Sequence, residues 1–186
     1  MKRLLAVVFL ICLFSGCGNG KENMNRAMTL RANLLGSAGC SFDAQIVADY
    51  GDKVYNFTMH CVTDSAGKLN FEVISPQTIG GITGYVEQQS GKLTFDDDVL
   101  AFETLVDGQI APICAPWLMM HTLRSGYISD CSEDGDAIRI GIDDSYKEEP
   151  LRVDVWADVH NAPMRCEILW QGRRVLSVEV KNFTYL

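Results

Sequence analysis

Basic residues are scarce in this sequence. Its 186 residues include 16 lysines and arginines against 24 aspartates and glutamates, which gives a net charge of −8. Loss of residues 1–16 as a signal peptide removes two basic residues and no acidic one, so the remaining chain carries −10. Nucleic-acid binding needs a basic surface that neutralises phosphates, and anionic lipid head groups repel an acidic domain. We therefore expect no nucleic-acid partner, and we expect membrane attachment only through a covalent anchor.

Motifs that mark catalytic or metal sites are also missing. The three histidines, His60, His121 and His160, do not lie in an HExxH motif, and none has a second histidine at helical spacing. The sequence has no GxSxG motif, and its acidic clusters lack the DxDxDG spacing of a calcium-binding loop. These absences predict a protein that is not an enzyme and that has no metal site and no cofactor.

Closely spaced cysteine pairs are absent as well. Of the seven cysteines, Cys12 lies in the N-terminal apolar segment and Cys17 follows that segment directly. The other five contain no CxxC pair, which argues against a zinc site or a redox motif. Because five is an odd number, at least one of them stays a thiol or pairs with another chain. We expect these five to be mostly small buried side chains: Cys40, Cys61, Cys114, Cys131 and Cys166.

The sequence has no apolar run long enough to cross a bilayer. Lys2 and Arg3 precede an apolar segment from Leu4 to Phe14, which is well short of the roughly 20 residues of a spanning helix. A basic start, a short apolar segment and small residues after it are typical of a signal peptide. Residues 14–17, Phe-Ser-Gly-Cys, resemble a bacterial lipobox, although the usual box has Leu, Val or Ile in the place of Phe14.

The lipobox resemblance implies the domain organisation and the location of the protein. In a lipobox the cysteine is acylated and becomes the first residue of the mature chain. We therefore expect a signal peptide at 1–16, a lipidated Cys17 with a flexible tether at 17–23, and one domain at 24–186. The protein is expected at the cell membrane, lipid-anchored on the extracytoplasmic side. The alternative is an ordinary secretory signal that contains a cysteine near its end.

Alternation of apolar and polar residues dominates the mature chain. Helical spacing occurs only from Met24 to Leu35 and from Pro116 to Ser125, whereas the alternating segments predict close to ten strands separated by turns. A sheet with so many strands twists and curls. We therefore expect a mainly β fold with two short helices, in which a single antiparallel sheet forms an incomplete, open barrel and the helices cover its apolar concave face.

The first hairpin can be predicted residue by residue. A two-residue turn at 51 and 52 pairs residues whose numbers sum to 103. This register places Ile46 opposite Phe57 and Phe42 opposite Cys61, so that the alternating apolar residues Phe42, Ala44, Ile46 and Ala48 face the apolar set of the other strand. A shift by one residue would destroy the match.

The same alternation defines a candidate apolar lining for the concave face. Alternation shows that this face is apolar, but it leaves open whether the barrel is hollow or filled. An exposed Trp156 on the polar side of its strand is a candidate anchor for a partner, with packing under a loop as the alternative. The candidate lining residues are Phe42, Ile46, Tyr55, Phe57, Met59, Phe71, Val73, Tyr85, Phe95, Phe102, Trp117, Met120, Val153, Val155, Ile168 and Leu176.

A family resemblance lies in the last strands, "LRVDVWADVHNAPMRCEILWQGRRVLSVEVKNFTYL". A strand ends at Asp158, a turn reaches Pro163, and a hairpin passes through Gly172 and Val175. This order resembles the closing strands of the lipoprotein carrier superfamily that includes LolA, LolB and RseB. About 140 residues agree in topology, and about the last 35 agree in motif-like detail.

The resemblance implies an open antiparallel barrel that holds acyl chains or senses lipoproteins. Soluble carriers of this kind lack a lipid anchor, so a fixed binding role suits this chain better than shuttling between two membranes. We expect a lipid-anchored binding lipoprotein that holds an apolar ligand, either an acyl chain or lipid or a lipoprotein. The alternative is an anchored interaction or regulatory module with a filled core and no small-molecule ligand.

The anchor leads to a direct test. If Cys17 is the acylation site, a fatty-acid analogue should label the protein in its host, and Cys17→Ser should abolish the label because serine offers no thiol. The labelled protein is detected by gel fluorescence. Labelling that persists in the Cys17→Ser variant would contradict the lipobox.

Overall fold

One wide antiparallel sheet forms most of the structure. The computed structural model describes residues 19–88, 90–95, 98–103, 105–106, 109–145 and 151–186. Within these residues the strands are β1 (Gly39–Asp49), β2 (Val54–Asp64), β3 (Leu69–Ser75), β4 (Thr83–Glu87), β5 (Ser90–Phe95), β6 (Asp98–Glu103), β7 (Leu105–Val106), β8 (Gln109–Ile110), β9 (Tyr127–Asp134), β10 (Ala137–Asp143), β11 (Arg152–Ala157), β12 (Pro163–Trp170) and β13 (Arg173–Tyr185).

The strand order confirms an open barrel. Eleven of the described strands form one sheet in the order β6-β5-β4-β3-β2-β1-β13-β12-β11-β10-β9. Neighbours in the chain are neighbours in the sheet, except that β1 also pairs with β13 and so joins the two halves. The end strands β6 and β9 do not pair with each other, so the sheet stays open. The short strands β7 and β8, which the sequence did not predict, pair separately.

The predicted hairpin register is confirmed. Ile46 lies opposite Phe57, and Phe42 lies opposite Cys61. The N–H of Tyr50 donates to the carbonyl of Lys53 over 3.0 Å, which closes the two-residue turn between β1 and β2. Gly51 has a φ of +92°, a conformation that a glycine adopts without a steric penalty. Turn chemistry and apolar pattern therefore select the same pairing.

Two helices lie on the sheet. α1 spans Asn19–Gly36, and α2 spans Ala115–Ser125 after a 3-10 turn at Pro112–Cys114. The predicted tether at 17–23 is wrong for residues 19–23, which form the start of α1. The carboxylate of Glu22 lies in the first turn of this helix, where the positive end of the helix dipole stabilises it. Cys17 lies outside the described residues. Neither of the described helices has the length and apolar character needed to span a membrane.

The inward faces of the helices fill much of the barrel. Leu30 and Leu34 of α1 and Met119 and Leu123 of α2 are buried against the sheet. Burying a side chain of this size contributes about 1.5–3 kcal/mol, so the helices and the concave face stabilise each other.

Two arginines connect the helices through backbone carbonyls. Nε of Arg31 in α1 donates to the carbonyl of Leu123 over 2.7 Å, and its Nη2 donates to that of Gly126 over 2.7 Å. In return, Nη1 of Arg124 in α2 donates to the carbonyl of Leu34 over 2.8 Å. The last carbonyls of a helix have no partner within that helix. Each helix therefore supplies donors for the C-terminal end of the other.

Arg31→Met tests this reciprocal capping. The variant keeps an unbranched side chain but removes the donors, so two part-buried carbonyls lose their partners and the free energy of unfolding should fall by about 1–3 kcal/mol. Urea denaturation measures the change. Arg173→Met is the control, because that exposed guanidinium lies 3.6 Å from Asp49 and such a pair contributes about 0–1 kcal/mol. Equal losses in the two variants would contradict the capping role.

Candidate ligand-binding cavity

A cavity of about 620 Å³ opens at the end of the sheet where β1 turns into β2. This volume lies within the roughly 300–1,000 Å³ of sites that enclose small molecules. The wall comes from the β1–β2 turn, strands β2, β3 and β5, the connection between β3 and β4, and the segment that leads into α2. The lining residues are Tyr50, Asp52, Lys53, Tyr55, Phe57, Val73, Ile79, Ile82, Leu93, Ile110, Ala111, Pro112 and Ile113.

The polarity of the cavity changes from its rim to its depth. Phe57, Val73 and Ile110 are buried, whereas Asp52 and Lys53 are exposed. Within the described part of the chain, these two are the charged residues of the lining. The cavity therefore offers an apolar interior and a charged rim, a combination that suits a molecule with an apolar body and a polar end.

A hydrogen bond holds the segment that covers the cavity. The hydroxyl of Tyr50 donates to the carbonyl of Ile110. Burial, followed by the neighbouring Tyr55 hydroxyl, raises the pKa of Tyr50 to about 12, so this hydroxyl stays protonated as a donor at neutral pH. The two tyrosine rings meet edge to face with 6.2 Å between their centroids. Tyr50 therefore links the first hairpin to residues 110–113.

Only part of the predicted lining reaches this cavity. Tyr55, Phe57 and Val73 line it. The other candidates with described side chains on the concave face are buried in the filled core, beneath or beside the helices, and do not line it. These core residues are Phe42, Ile46, Met59, Phe71, Trp117, Met120, Val153, Val155, Ile168 and Leu176.

The predicted inward direction of Tyr85 is wrong. In β4 the inward positions are Gly84, opposite Phe71, and Val86, opposite Leu69. Tyr85 lies on the other face of the sheet, where Nζ of Lys68 is 3.8 Å from the centroid of its ring. A Cβ at Gly84 would lie 2.7 Å from the ring of Phe71, so this inward position has to be a glycine. Because a glycine has no apolar side chain, the sequence pattern does not show that this position faces inward.

Three predicted site residues are not tested by the structure. Cys17 lies outside the described residues, as stated above. Phe95 and Phe102 lie in β5 and β6, and their side chains are outside the described part of the chain.

The thiols of the core are shielded from solvent. Cys61 and Cys166 are fully buried, and burial raises the pKa of both thiols. A raised pKa reduces the fraction of the reactive thiolate. No disulfide joins the cysteines of the described residues, and no cluster of metal-ligating side chains occurs in that part of the chain.

A polar cluster lies on the outer face of the sheet. His60 Nδ1 is 2.8 Å from an oxygen of Asp43, and Asn182 Nδ2 donates to the other oxygen over 2.7 Å. These hydrogen bonds, that of His60 first, lower the pKa of Asp43. Ser41 Oγ lies 3.5 Å from His60 Nε2. β1 pairs with β2 on one side and with β13 on the other, with a register shift between Ser41 and Asp43 in the β13 pairing. We assign this cluster to the surface of the sheet.

Trp156 is also on the outer face, as predicted. Its Nε1 donates to Asp134 over 2.7 Å, and the guanidinium of Arg165 lies 4.6 Å from the centroid of one ring. No loop covers it among these described contacts: the ring is covered by a charged side chain from the neighbouring strand.

A matched pair of substitutions distinguishes the hollow part of the barrel from the filled part. Val73→Phe adds a ring that can extend into the cavity, so the free energy of unfolding should change by less than about 1 kcal/mol. Val155→Phe adds the same ring to a filled core, where overpacking costs about 1–3 kcal/mol. Thermal and urea denaturation of both variants measure the difference. A larger loss for Val73→Phe would show that the cavity is not available space.

Comparison with known proteins supports the fold. No family model and no curated protein matches the chain. A domain from Vibrio parahaemolyticus assigned as an outer membrane lipoprotein-sorting protein has a TM-score of 0.52 and 8% identity, over 89% of this chain and 92% of that one. An uncharacterised conserved protein from Thermus thermophilus has a TM-score of 0.49 and 9% identity, over 89% of this chain and 86% of that one.

The LolA superfamily protein NE2245 from Nitrosomonas europaea covers 86% of this chain and 93% of its own, with a TM-score of 0.44 and 5% identity. At such identities a structural likeness concerns the fold and not the ligand. With its open eleven-stranded sheet and two covering helices, this chain shares its fold with the Vibrio parahaemolyticus domain.

Proposed function

We propose that this protein is a lipid-anchored, extracytoplasmic binding lipoprotein that holds an apolar ligand, such as an acyl chain, in the cavity beside the first hairpin. The observation that carries the proposal is the cavity of about 620 Å³ itself, with its apolar depth and its charged rim. A filled barrel would offer no such volume.

Transfer of apolar surface out of water supplies the binding energy. Each methylene that leaves water contributes about 0.8 kcal/mol, so about ten methylenes supply the roughly 8 kcal/mol of micromolar binding, from which the entropy cost of association is subtracted. Phe57, Val73 and Ile110 provide the buried apolar surface that such a chain needs.

The lining suits binding better than catalysis. Among the described residues of the wall there is no serine, histidine, cysteine or glutamate, and the two charged ones, Asp52 and Lys53, lie at the exposed rim.

Anchoring supports a fixed role near a membrane. Helix α1 begins at Asn19, two positions after Cys17, so an acyl anchor on Cys17 would hold the domain close to the bilayer surface. The Vibrio domain of the same fold is assigned to lipoprotein sorting, which favours a ligand from the cell envelope. The net charge of the mature chain makes the anchor the main source of membrane affinity.

The filled core favours a second candidate, an anchored interaction module without a small-molecule ligand. Most candidate lining residues, including Val155 and Ile168, are buried in packed surroundings. In that case the outer face around Trp156 would contact the partner, with Arg165 beside it. The two candidates differ in whether the cavity is occupied.

Two measurements test the proposed function. Native mass spectrometry of the protein purified from its host should show a co-purifying lipid besides the anchor. The full chain with Cys17→Ser, which has no acyl chains of its own, should bind a fluorescent fatty acid, and Val73→Phe should weaken this binding at least tenfold because the added ring occupies the cavity. A factor of ten corresponds to about 1.4 kcal/mol.

Val159→Phe is the matched control, since Val159 is 63% exposed and does not line the cavity. It should leave the affinity unchanged. Absence of a lipid and of fatty-acid binding would favour the interaction module. Equal weakening by both substitutions would place the probe elsewhere than in the cavity.

A further inference from the structure

The apolar wall of the cavity crosses the strands of the sheet. Val73 of β3, Ile82 just before β4 and Leu93 of β5 all line it. The N–H of Val73 donates to the carbonyl of Ile82 over 2.8 Å, and Leu93 lies opposite Gly84, two residues after Ile82. Diagonal neighbours of this kind on one face of a sheet are within reach of long side chains. The wall is therefore a continuous apolar strip from β3 to β5.

One further leucine extends this strip beyond the cavity. Leu100 of β6 lies directly opposite Leu93, and directly opposite residues of antiparallel strands lie side by side on the same face. The side chain of Leu100 is nevertheless 60% exposed and does not line the cavity. Single exposed leucines are common on protein surfaces. Leu100 differs from these because it lies on the concave face, next to a residue of the cavity wall.

Leu100 also lies at the open edge of the sheet. β6 is an end strand, and no strand of the described residues pairs with its outer side. Residues 110–113 belong to the lining and cover the strip over β3 to β5, but the exposure of Leu100 shows that this side chain stays uncovered. An apolar chain that leaves the cavity on this side therefore meets a leucine before it meets water.

We propose that the binding site continues past the cavity as an apolar groove that ends at the open edge of the sheet, with Leu100 as its outer contact. A long acyl chain lies beneath residues 110–113, crosses β3 to β5 and covers Leu100. This inference rests on the proposed function, since it needs an apolar ligand in the cavity. It names the ligand class as acyl chains too long to be enclosed by the covered part of the barrel.

The proposal predicts that only long chains use Leu100. Neighbouring strands are about 4.8 Å apart, so the cavity wall from β2 to β5 spans about 14 Å and Leu100 adds one more spacing. Capric acid in its extended form is shorter than the wall from β2 to β5, whereas extended stearic acid is longer. Stearic acid should therefore cover Leu100, and capric acid should leave it exposed.

Displacement of a fluorescent fatty acid from the full chain with Cys17→Ser measures the Kd of both acids. Leu100→Ser removes the apolar contact and should raise the Kd of stearic acid about fivefold, with no change for capric acid. Leu100→Phe enlarges the contact and should lower the Kd of stearic acid. Ile74→Ser is the matched control, because Ile74 is 52% exposed on the outer face of β3 and does not line the cavity. It should leave both affinities unchanged.

The outcomes separate the inference from the function on which it rests. Opposite changes for stearic acid in the two Leu100 variants, with no change for capric acid or in Ile74→Ser, support the groove. If the parent binds stearic acid but Leu100→Ser resembles Ile74→Ser, or weakens both acids equally, the groove is overturned and the proposed function stands. If the parent binds neither acid, both are overturned. Two variants with opposite expected effects keep the test decisive if one of them fails to fold.

Discussion

The structure depends on one constraint: a wide sheet has a single apolar face to cover, and the second sheet among the described strands, β7 with β8, is too short to cover it. Eleven strands present residues such as Phe42, Ile140 and Val178 on the concave side, and all are buried. Two helices and a short covering segment have to supply the opposite layer. Burying helix ends in that layer leaves carbonyls without partners, and the reciprocal bonds of Arg31 and Arg124 satisfy several of them. The two helices therefore cover the apolar face of the sheet and also supply hydrogen-bond donors for carbonyls at each other's C-terminal ends.

The same constraint explains where the cavity lies. Helix α1 packs mainly on β9 and β10, and α2 packs on β10, β11 and β13, so both helices favour the half of the sheet formed by the later strands. The half formed by β2 to β5 has residues 110–113 as its cover instead, held by the hydroxyl of Tyr50. The end of β8 and the 3-10 turn that follows it fill less space than a helix, and the remaining volume is the cavity. Incomplete cover, and not a special set of side chains, produces the candidate site.

The sequence predicted the fold better than the site, for reasons that particular residues show. Turn chemistry at Gly51 and a strict alternation determined the β1–β2 register, because only one register matches both. Tyr85 was assigned to the wrong face because the inward position beside it is Gly84, which has no side chain to reveal the pattern. Whether Val155 lines a cavity or fills a core depends on which element covers it. Alternation along one strand contains no information about the element that covers it. The position of the cavity therefore could not be predicted from the alternation of the strands.

The cost of a substitution in free energy of unfolding differs between the filled half of the barrel and the half that contains the cavity. Large-to-small changes in packed cores cost about 2–5 kcal/mol because neighbours cannot close the gap. Residues such as Ile168 in the filled half are subject to this cost. Residues such as Ile82 and Leu93, which border empty volume and are only partly buried, have fewer neighbours to lose. Ligand preference can therefore change at β2 to β5 while the core under the helices maintains stability.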